Sequence, residues 1–424
     1  MTNYQQLFDY LHSSTALEKM QYLYGNAQEI TVFETQRYES LLKLHEEKFH
    51  STETLYFISA PGRIEVAGNH TDHNRGKVLA AAVNKDAVAC VGKRTDNTVL
   101  FYSQGFGEIS LNLNDLTLNT NEFGTTQGII RGIAKQMQDK GFVIGGFEAC
   151  VNSTILSGSG LSSSAAIENL ISKIFDVLYN KANLDPMLQA KIGQYAENVY
   201  FGKPSGLLDQ SASAIGGLVY MDYKNEQPEV IQKTFNFQTK GFTLYVVNTN
   251  SSHDDLTDAY AAIPAEMKAI ASHFGKNHLR ELTLNDIITN IKILKDTFGE
   301  RAILRAYHFF TENNRVDAQI NALDNVNMEE FLESIIASGR SSFMYLQNIY
   351  ANVHSQPIAL ALALAENVLQ GTGAWRVHGG GFAGTILTFV PEHKKAEFIS
   401  TMEHAFGKNS CIALNIRPVG AYVF

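Results

Sequence analysis

The sequence is short of the residues and runs that mark several large classes of protein. Its 424 residues include only three cysteines, Cys90, Cys150 and Cys411, and no CxxC pair. A disulfide framework and a zinc ribbon are therefore not expected, and the reducing cytoplasm is the simplest setting. Eight prolines and 32 glycines exclude Pro-rich and collagen-like chains. No apolar run is long enough for a membrane span, and the N-terminus lacks the pattern of a signal peptide.

Positive charge is also scarce. Lysine and arginine number 34 against 43 acidic residues, which gives a net charge of −9. Because nucleic-acid binding usually needs a basic domain, no nucleic-acid partner is expected. A hydrophobic content of 45% with 18% charged residues is ordinary for a globular chain. The length favours two domains, or three.

The hydrophobic pattern predicts an α+β fold. Residues 1–50 are predicted to be helical, and alternating runs between about 54 and 155 predict strands around one helix near 126–140. Helical periodicity then continues from Ser163 to Gly216. The stretch 223–229 is the best candidate for a linker, so we expect an N-terminal domain over residues 1–225 and a C-terminal domain over 226–424. Strands and helices do not alternate regularly, which argues against a doubly wound sheet.

The first candidate site is a run of small residues, SGSGLSSSAA, from Ser157 to Ala166. It lies between a predicted strand and a predicted helix. Glycines let the backbone approach a ligand, and a helix N-terminus offers N–H groups to an anion. The run lacks the lysine of a Walker A loop. It predicts either a nucleotide phosphate site or a serine-rich helix cap.

A second candidate site is the polar segment 59–76, which reads SAPGRIEVAGNHTDHNRG. Arg63 and Asp72 supply a donor and an acceptor that could converge on a polyol. His70 and His73 raise the alternative of a metal site, although one nearby acid and the absence of an HExxH pattern weigh against it. A solvated loop is the remaining interpretation.

Three further features are ambiguous when each is taken alone. The glycine-rich segment 379–384, between two predicted strands, indicates close ligand approach or a structural hairpin. Asp209 lies in a small-residue helix, where it is either a buried structural acid or a base. Glu197, twelve residues earlier, would pass as a surface charge.

Together these segments resemble the motifs of the GHMP kinase family, and the galactokinase pattern is the nearest. APGRIEVAGNHTDHNRG is similar to APGRxNLIGEHTDYNxG, GSGLSSSAAIE to the family's nucleotide loop, and RVHGGGFAG to its last motif. The spacing from Glu197 to Gln210 matches ExxxxGxxxGxxDQ. The matches follow the family's order from about Ser59 onward, whereas residues 1–50 lie largely outside them.

The resemblance implies a ribosomal S5-like N-terminal domain and a ferredoxin-like C-terminal domain with the active site between them. It implies ATP-dependent phosphorylation of the C1 hydroxyl of galactose, with ATP as cosubstrate and Mg²⁺, by a cytoplasmic monomer or weak homodimer. Asp209 would be the base, and Arg63 would keep it ionised and stabilise the transferring phosphoryl group. The other implied site residues are Gly158, Ser159, Gly160, Leu161, Ser162, Ser163 and Ser164 at ATP, Asn69, His70, Asp72, Gly206 and Tyr260 at the sugar, and Ser164 and Glu197 at Mg²⁺.

The sequence departs from the family pattern mainly in segment 59–76, which we call the sugar loop. The usual glutamate is Asn69, Asn-Leu-Ile is Glu65-Val66-Ala67, and the tyrosine is His73. Glu65 compensates for the lost carboxylate only if its strand turns it toward the sugar. Outside this loop, Leu156 replaces a proline, and Thr126 stands at the position of an adenine-side tryptophan.

These departures leave two other functions open. One is a kinase for a related sugar such as galacturonate, arabinose or an N-acetylhexosamine. Galacturonate is the strongest challenger to galactose, because losing the glutamate removes a charge that would repel its carboxylate. The other function is that of a sugar sensor without catalysis. The intact Ser164-Ala165-Ala166 and the presence of Arg63, Glu197 and Asp209 weigh against the sensor.

Overall fold

The described residues form two β-sheets and the helices that cover them. A computed structural model describes residues 3–156, 158–250, 256–382 and 384–424. The strands of the first sheet are β1 Leu55–Ala67, β2 Lys77–Lys93, β3 Thr98–Ser103, β4 Gly107–Asn112, β5 Phe147–Ser153, β6 Leu218–Asp222, β7 Glu229–Lys233 and β12 Tyr422–Val423. Their order is β12-β1-β2-β5-β3-β4, and β6 and β7 continue from β2. All neighbours are antiparallel except β3 and β5.

The long hairpin of β1 and β2 carries the first half of the candidate site. Its register runs from Leu55 opposite Gly92 to Ala67 opposite Leu79, with irregularities on either side of residues 63–65. Ile64 and Val66 point into the main hydrophobic core. Since side chains alternate along a strand, Arg63 and Glu65 share the opposite face.

Three helices cover one face of the first sheet. They are α1 Asn3–Leu11, α2 Ser14–Tyr24 and α3 Gln28–Phe49, which confirms that residues 1–50 are largely helical. Tyr38 packs with Phe57 in the apolar layer beneath them. Cys90 and Cys150 belong to the same layer, lie opposite each other on β2 and β5, and are free thiols.

The other face of this sheet packs against helices from the middle of the chain. These are α4 Thr126–Asp139, α5 Ser163–Tyr179, α6 Pro186–Tyr195 and α7 Leu208–Ile215. α6 passes into a π-helical segment, Ala196–Phe201. The periodicity predicts an apolar stripe on α5, of which Leu170, Ile171 and Ile174 are fully buried while Ile167 and Leu178 are partly buried against the same core.

The second sheet and the remaining helices come from the second half of the chain. Its strands are β8 Phe242–Asn248, β9 Ala374–Val377, β10 Thr385–Pro391 and β11 Cys411–Leu414, in the order β11-β8-β10-β9. The helices are α8 Thr257–His273, α9 Leu284–Thr289, α10 Ile291–Asp324, α11 Met328–Ser341, α12 Pro357–Leu369 and α13 Lys395–Phe406. α10 is kinked at Gly299, where φ is 79°.

Two details differ from the sequence-based expectations. The segment 223–228 is the turn of the β6–β7 hairpin, and it joins two paired strands of one sheet instead of linking two bodies. Strand β4 was not expected, since its sequence GEISLN is polar and mostly exposed. The domain boundary at residue 225 stays a prediction. Within the described ranges, no helix combines the length and the apolar character needed to cross a bilayer.

Candidate active site

Arg63 and Asp209 form the centre of the site. Arg63 Nε donates to Asp209 Oδ1 at 2.6 Å and Nη2 donates to Oδ2 at 2.5 Å, which is a bidentate pair. Arg63 Nη1 also donates to the carbonyl of Gly160 at 2.5 Å. A single guanidinium therefore joins β1, the start of α7 and the candidate nucleotide loop.

Asp209 is held in its ionised form. Its burial alone would raise the pKa of the carboxyl, but the positive charge of Arg63 and its two hydrogen bonds outweigh that effect. Ser162 Oγ donates a further hydrogen bond of 2.8 Å to Oδ2. The pKa of Asp209 thus lies below its ordinary value, and the side chain keeps 33% of its surface exposed.

The loop before α5 has the backbone of an anion site. Gly158, Gly160 and Ser162 have φ angles of 72°, 71° and 57°. Ser162 occupies the N-cap of α5, yet its side chain makes no capping bond, because it donates to Asp209. The first N–H groups of α5 are thus left for an anion, where the helix dipole also favours negative charge. Ser157, the first residue of the predicted loop, lies outside the described residues.

Gly160 lies against the second half of the chain. A Cβ built on Gly160 would lie 2.4 Å from Thr385 Oγ1 and 2.9 Å from His378 Nδ1. His378 is buried, and its Nδ1 lies 3.2 Å from Thr385 Oγ1. Only glycine allows the nucleotide loop to approach the end of β9 and the start of β10 this closely.

Ser164 and Glu197 form a small group of oxygen ligands beside the loop. Ser164 Oγ donates to Glu197 Oε1 over 3.3 Å, and Lys203 Nζ lies 3.3 Å from the same oxygen. Gln210 Nε2 bridges Glu197 Oε2 at 2.8 Å and Glu168 Oε2 at 3.0 Å. The described residues contain no cluster of three or more His, Cys, Asp or Glu side chains placed to hold a metal.

This group fits Mg²⁺ only in part. A hydroxyl and a carboxylate are the hard oxygen ligands that Mg²⁺ takes, and it usually keeps waters or phosphate oxygens as further ligands. The two side chains alone would leave most of its coordination positions to the nucleotide. The donor set is therefore compatible with a magnesium ion that arrives with ATP.

Asp72 and Gly206 meet at the edge of the sugar loop. A Cβ on Gly206 would lie 1.7 Å from Asp72 Oδ2, so the carboxylate occupies the space that any other residue at position 206 would fill. His73 N donates to Asp72 Oδ1 at 3.0 Å. The side chain of Asp72 is 10% exposed.

His70 and Tyr260 converge on the glycine turn between β9 and β10. The carbonyl of Gly380 accepts from His70 Nε2 at 3.1 Å, and the carbonyl of Gly381 accepts from the Tyr260 hydroxyl at 2.8 Å. Burial lowers the pKa of His70 to about 3. The imidazole is therefore neutral at pH 7, with its proton on Nε2.

Asn69 lies in a fully buried polar network. Its Nδ2 donates to Glu65 Oε1 at 2.8 Å and to the carbonyl of Gly379 at 2.7 Å. Its Oδ1 accepts from Asn348 Nδ2 at 2.7 Å and from Ser342 Oγ at 3.2 Å. All four hydrogen-bonding positions of the amide are occupied by protein groups.

Glu65 forms an ion pair with Arg376 in the same network. Arg376 Nη2 donates to Glu65 Oε1 at 2.8 Å, and its Nη1 and Nε donate to the carbonyls of Val66 and Val377. Arg376 is fully buried. Burial raises the pKa of Glu65 to about 7, although the charge of Arg376 opposes that shift.

Helix α10 supports the sugar loop from below, which the sequence did not indicate. Glu312 Oε1 accepts from the backbone N–H of Gly68 at 3.0 Å, and Asn313 Oδ1 accepts from that of Lys77 at 2.6 Å. His308 Nε2 donates to the carbonyl of Asn69 at 2.9 Å. These contacts span about 240 residues, and no local motif on α10 marks them.

The structure thus brings the predicted residues together in two groups. One surrounds the Arg63–Asp209 pair and contains the nucleotide loop from Gly158 to Ser164, with Glu197 beside it. The other surrounds the glycine turn and contains Asn69, His70 and Tyr260, with Asp72 and Gly206 at the edge of the sugar loop. Arg376, His378 and Asn348 are additional members that the sequence analysis did not assign.

Comparison with known proteins identifies related sequences over most of the chain. A model described as "Galactokinase galactose-binding signature" matches residues 43–93, and one for the GHMP kinases N-terminal domain matches residues 128–217. The galactokinase of Glaesserella parasuis serovar 5 is 30% identical over 347 residues, which cover 80% of this chain and 85% of that protein. The galactokinase of Clostridium tetani is 29% identical over 358 residues, or 82% and 87% of the two chains.

Solved structures agree with the sequence comparison. The crystal structure of Lactococcus lactis galactokinase complexed with galactose superimposes with a TM-score of 0.79 at 25% identity, over 90% of this chain and 98% of that one. The mevalonate kinase of Methanococcus jannaschii gives a TM-score of 0.61 at 17% identity, over 85% and 98% of the chains. The second likeness concerns the fold alone.

Proposed function

Since the chain belongs to the galactokinase family and has the GHMP kinase fold, we propose that it transfers the γ-phosphoryl group of ATP to the C1 hydroxyl of galactose. The products are ADP and galactose 1-phosphate. The observation that carries this proposal is the position of Arg63, which contacts both the nucleotide loop at Gly160 and the carboxylate of Asp209. Such a contact couples a phosphate site to a proton acceptor.

Asp209 is the proposed proton acceptor. Its depressed pKa keeps it a carboxylate at neutral pH. As the C1 oxygen forms its bond to the γ-phosphorus, its proton passes to Asp209, and the bond from that phosphorus to the β–γ bridging oxygen breaks. Arg63 orients the carboxylate and places positive charge beside the transferring group. Phosphoryl transfer depends mainly on such positioning and charge stabilisation.

The uncapped N-terminus of α5 is the proposed phosphate site. The free N–H groups of its first turn and the hydroxyl of Ser163 present donors to the phosphate oxygens, whereas the hydroxyls of Ser162 and Ser164 donate to Asp209 and Glu197. When bound with ATP, Mg²⁺ would neutralise phosphate charge, and Ser164 and Glu197 are the residues that would hold it. Gln210 keeps Glu197 in place from the opposite side.

The magnesium assignment predicts a specific effect of Glu197→Gln. The variant should need about 10-fold more Mg²⁺ for half-maximal rate, because one charged ligand is lost, whereas the KM for galactose should change little. A Mg²⁺ titration of the rate at saturating sugar measures this. Glu333→Gln, at an exposed helical position, is the matched control. Identical titrations for both variants would exclude Glu197 from the magnesium site and leave it a buried acid hydrogen-bonded to Gln210, not the surface charge that the sequence alone allowed.

The proposed enzyme acts on two small molecules in the cytoplasm, as a monomer or weak homodimer. His70, Asp72, Gly206 and Tyr260 are the proposed walls of the sugar site, and light scattering at several concentrations would establish the oligomeric state.

A sugar panel tests the function directly. Purified protein with ATP and Mg²⁺ should form ADP fastest with galactose among galactose, glucose, arabinose, galacturonate and N-acetylgalactosamine. The phosphorylated carbon, read by NMR, should be C1. Faster turnover of galacturonate would reassign the substrate, and sugar binding without ADP formation would identify a sensor.

A further inference from the structure

We infer that the carboxylate of Glu65 contacts the sugar. Asn69 does not contact the sugar but positions the loop around Glu65. This inference rests on the proposed function, which it deepens by assigning the residue that selects an uncharged sugar. It differs from the sequence-based assignment, in which Asn69 itself contacts the sugar.

Asn69 has no capacity left for a ligand. Both of its N–H bonds are directed at acceptors, Glu65 Oε1 and the carbonyl of Gly379, so the orientation of the amide is fixed. Its oxygen accepts from Ser342 and Asn348. A sugar hydroxyl could bond to this fully buried amide only by displacing one of four protein partners. The network instead joins the sugar loop to the glycine turn and to the segment after α11.

Glu65 still has an open acceptor. Both of its hydrogen bonds, from Asn69 and Arg376, end on Oε1. Its Oε2 accepts no hydrogen bond from any residue that the structure describes, and it does not belong to the fully buried unpartnered atoms. The side chain is 92% buried, with the remaining 8% exposed. One oxygen is therefore anchored while the other is accessible to a ligand.

The direction of Glu65 follows from the register of β1. Residues 63–65 lie between two irregularities and pair regularly with Ala82, Ala81 and Ala80. Ile64 and Val66 point into the core, so Glu65 is on the same face as Arg63, which holds Asp209. The open carboxylate oxygen thus faces the side of the strand on which the proposed reaction occurs.

Residues 65 and 69 together carry one carboxylate, as in the galactokinase pattern, but in this chain it is on residue 65 and the amide is on residue 69. The galactokinase pattern has asparagine where this chain has Glu65 and glutamate where it has Asn69. Arg376 is fully buried, and among the described residues Glu65 is the carboxylate in an ion pair with it. A buried guanidinium needs that counter-charge. We therefore expect the site to repel a substrate carboxylate, which favours galactose over galacturonate despite Asn69.

Glu65→Gln tests the contact with the sugar. The hydrogen bond of a hydroxyl to a charged acceptor corresponds to about 10- to 100-fold in affinity. At about pH 8, where Glu65 is ionised, the variant should raise the KM for galactose by about that factor and leave the KM for ATP unchanged. The ratio of kcat/KM for galacturonate to that for galactose should rise at least about 10-fold. Glu333→Gln is the matched control and should behave as the wild type.

The exchange is tested by a cycle of Asn69→Glu, Glu65→Asn and the double variant. Asn69→Glu alone places a second carboxylate against that of Glu65, with the single guanidinium of Arg376 to neutralise both, so it should lower the Tm and raise the KM for galactose. Adding Glu65→Asn restores a single carboxylate and should recover both quantities to within about 3-fold of wild type for KM. A double variant no better than Asn69→Glu alone would overturn the coupling of the two positions.

Failure of the inference and failure of the proposed function are distinguishable. If galactose is phosphorylated and Glu65→Gln changes neither its KM nor the galacturonate ratio by more than 2-fold, only the inference is wrong. If no sugar is phosphorylated, the proposed function is wrong. The rise in Tm that a sugar induces then tests the inference about Glu65. A rise that Glu65→Gln abolishes supports the inference, whereas a rise that it leaves intact, or no rise with any sugar, overturns it.

Discussion

Arg63 shows how one side chain can set the chemistry of its neighbour. It donates two hydrogen bonds to Asp209 and a third to the nucleotide loop, so the carboxylate is both ionised and fixed in direction. An acid that is strongly paired in the resting protein must accept a proton while the guanidinium remains beside it. Transfer of the sugar proton to Asp209 is favourable only when negative charge develops on the phosphoryl group, because Arg63 then stabilises that charge as well.

Asp209→Asn is the most direct test at this scale. The amide is nearly isosteric, so the fold should persist, but it cannot accept the proton. The kcat for galactose should fall by about 10²- to 10⁴-fold, with little change in the binding of ATP. Asp296→Asn, at an exposed position on α10, is the matched control. Retention of more than about a tenth of the wild-type kcat would remove Asp209 from the role of base.

Gly206→Ala tests the contact between a glycine and a carboxylate. The new Cβ would lie 1.7 Å from Asp72 Oδ2, so Asp72 must move away from its present position. Losing a charged acceptor should raise the KM for galactose by about 10- to 100-fold. The KM for ATP and the Tm should stay close to wild type, because position 206 lies in a partly exposed loop. An unchanged KM for galactose would exclude Asp72 from the sugar site.

At the scale of elements, helix α3 is fastened to the first sheet by a buried histidine. His45 Nε2 donates to the carbonyl of Glu148 on β5 at 3.3 Å, and its Nδ1 accepts from the Tyr4 hydroxyl at 3.0 Å. Burial lowers the pKa of His45 to about 4. The ring must therefore stay neutral for the helix to remain docked.

His45→Gln should change how stability depends on pH. The unfolded chain protonates His45 near pH 6.5 and the folded chain near 4, so the stability from this group is present above pH 6.5 and is lost as the pH falls. Glutamine does not titrate, so the variant lacks this pH-dependent contribution to stability. Between pH 6.5 and 4 the unfolding free energy of the wild type should fall more steeply than that of the variant, by about 1.4 kcal/mol per pH unit. Urea titrations across this range measure both slopes, and parallel slopes would contradict the assignment.

Elements with a strong local pattern could be predicted from the sequence, and those defined by partners could not. The apolar stripe of α5 and the glycine turn before β10 are visible in a few residues. The polar strand β4 forms because it pairs with β3. The segment 223–228 resembles a linker in composition, but the pairing of β6 with β7 makes it a hairpin turn.

At the scale of the whole molecule, Asp86 connects parts of the chain that are far apart in sequence. Arg37 of α3 and Arg417 near the end of the chain both form ion pairs with it, and Tyr24 and Ser59 donate hydrogen bonds to it. Its burial alone would raise the pKa, but the two guanidiniums hold the pKa below the ordinary value. One carboxylate thus pairs with two buried arginines, of which Arg37 also pairs with Glu34.

Asp86→Asn should therefore destabilise the entire protein. The amide removes the acidic partner of Arg417 in a buried site and leaves Arg37 with Glu34 alone, and breaking a buried pair typically costs about 3–5 kcal/mol. The free energy of unfolding, measured by urea denaturation at pH 7.5, should fall by that amount, while Asp296→Asn should change it by less than about 0.5 kcal/mol. A loss below about 1 kcal/mol would mean that water or a rearranged partner replaces the carboxylate.

The candidate site was predictable to the extent that its residues lie in short motifs. Arg63, Asp209 and the nucleotide loop each stand in a distinctive local sequence, and the structure brings them into contact. The exchanged pair was less accessible, because the state of Glu65 depends on Arg376, which is 311 residues away. Likewise, Glu312 supports Gly68 across 244 residues. Partners at such distances are fixed by packing, which no local pattern records.

The facing cysteines beneath the N-terminal helices have a practical consequence. Burial raises the pKa of Cys150 to about 12 and that of Cys90 well above its ordinary value, and only a thiolate attacks reagents such as dithionitrobenzoate. Neither sulfur can react while α1–α3 cover the sheet. In a Cys411→Ser variant, the rate of thiol labelling therefore measures how often α1–α3 open locally from the sheet. The two cysteines thus serve as natural probes of local unfolding.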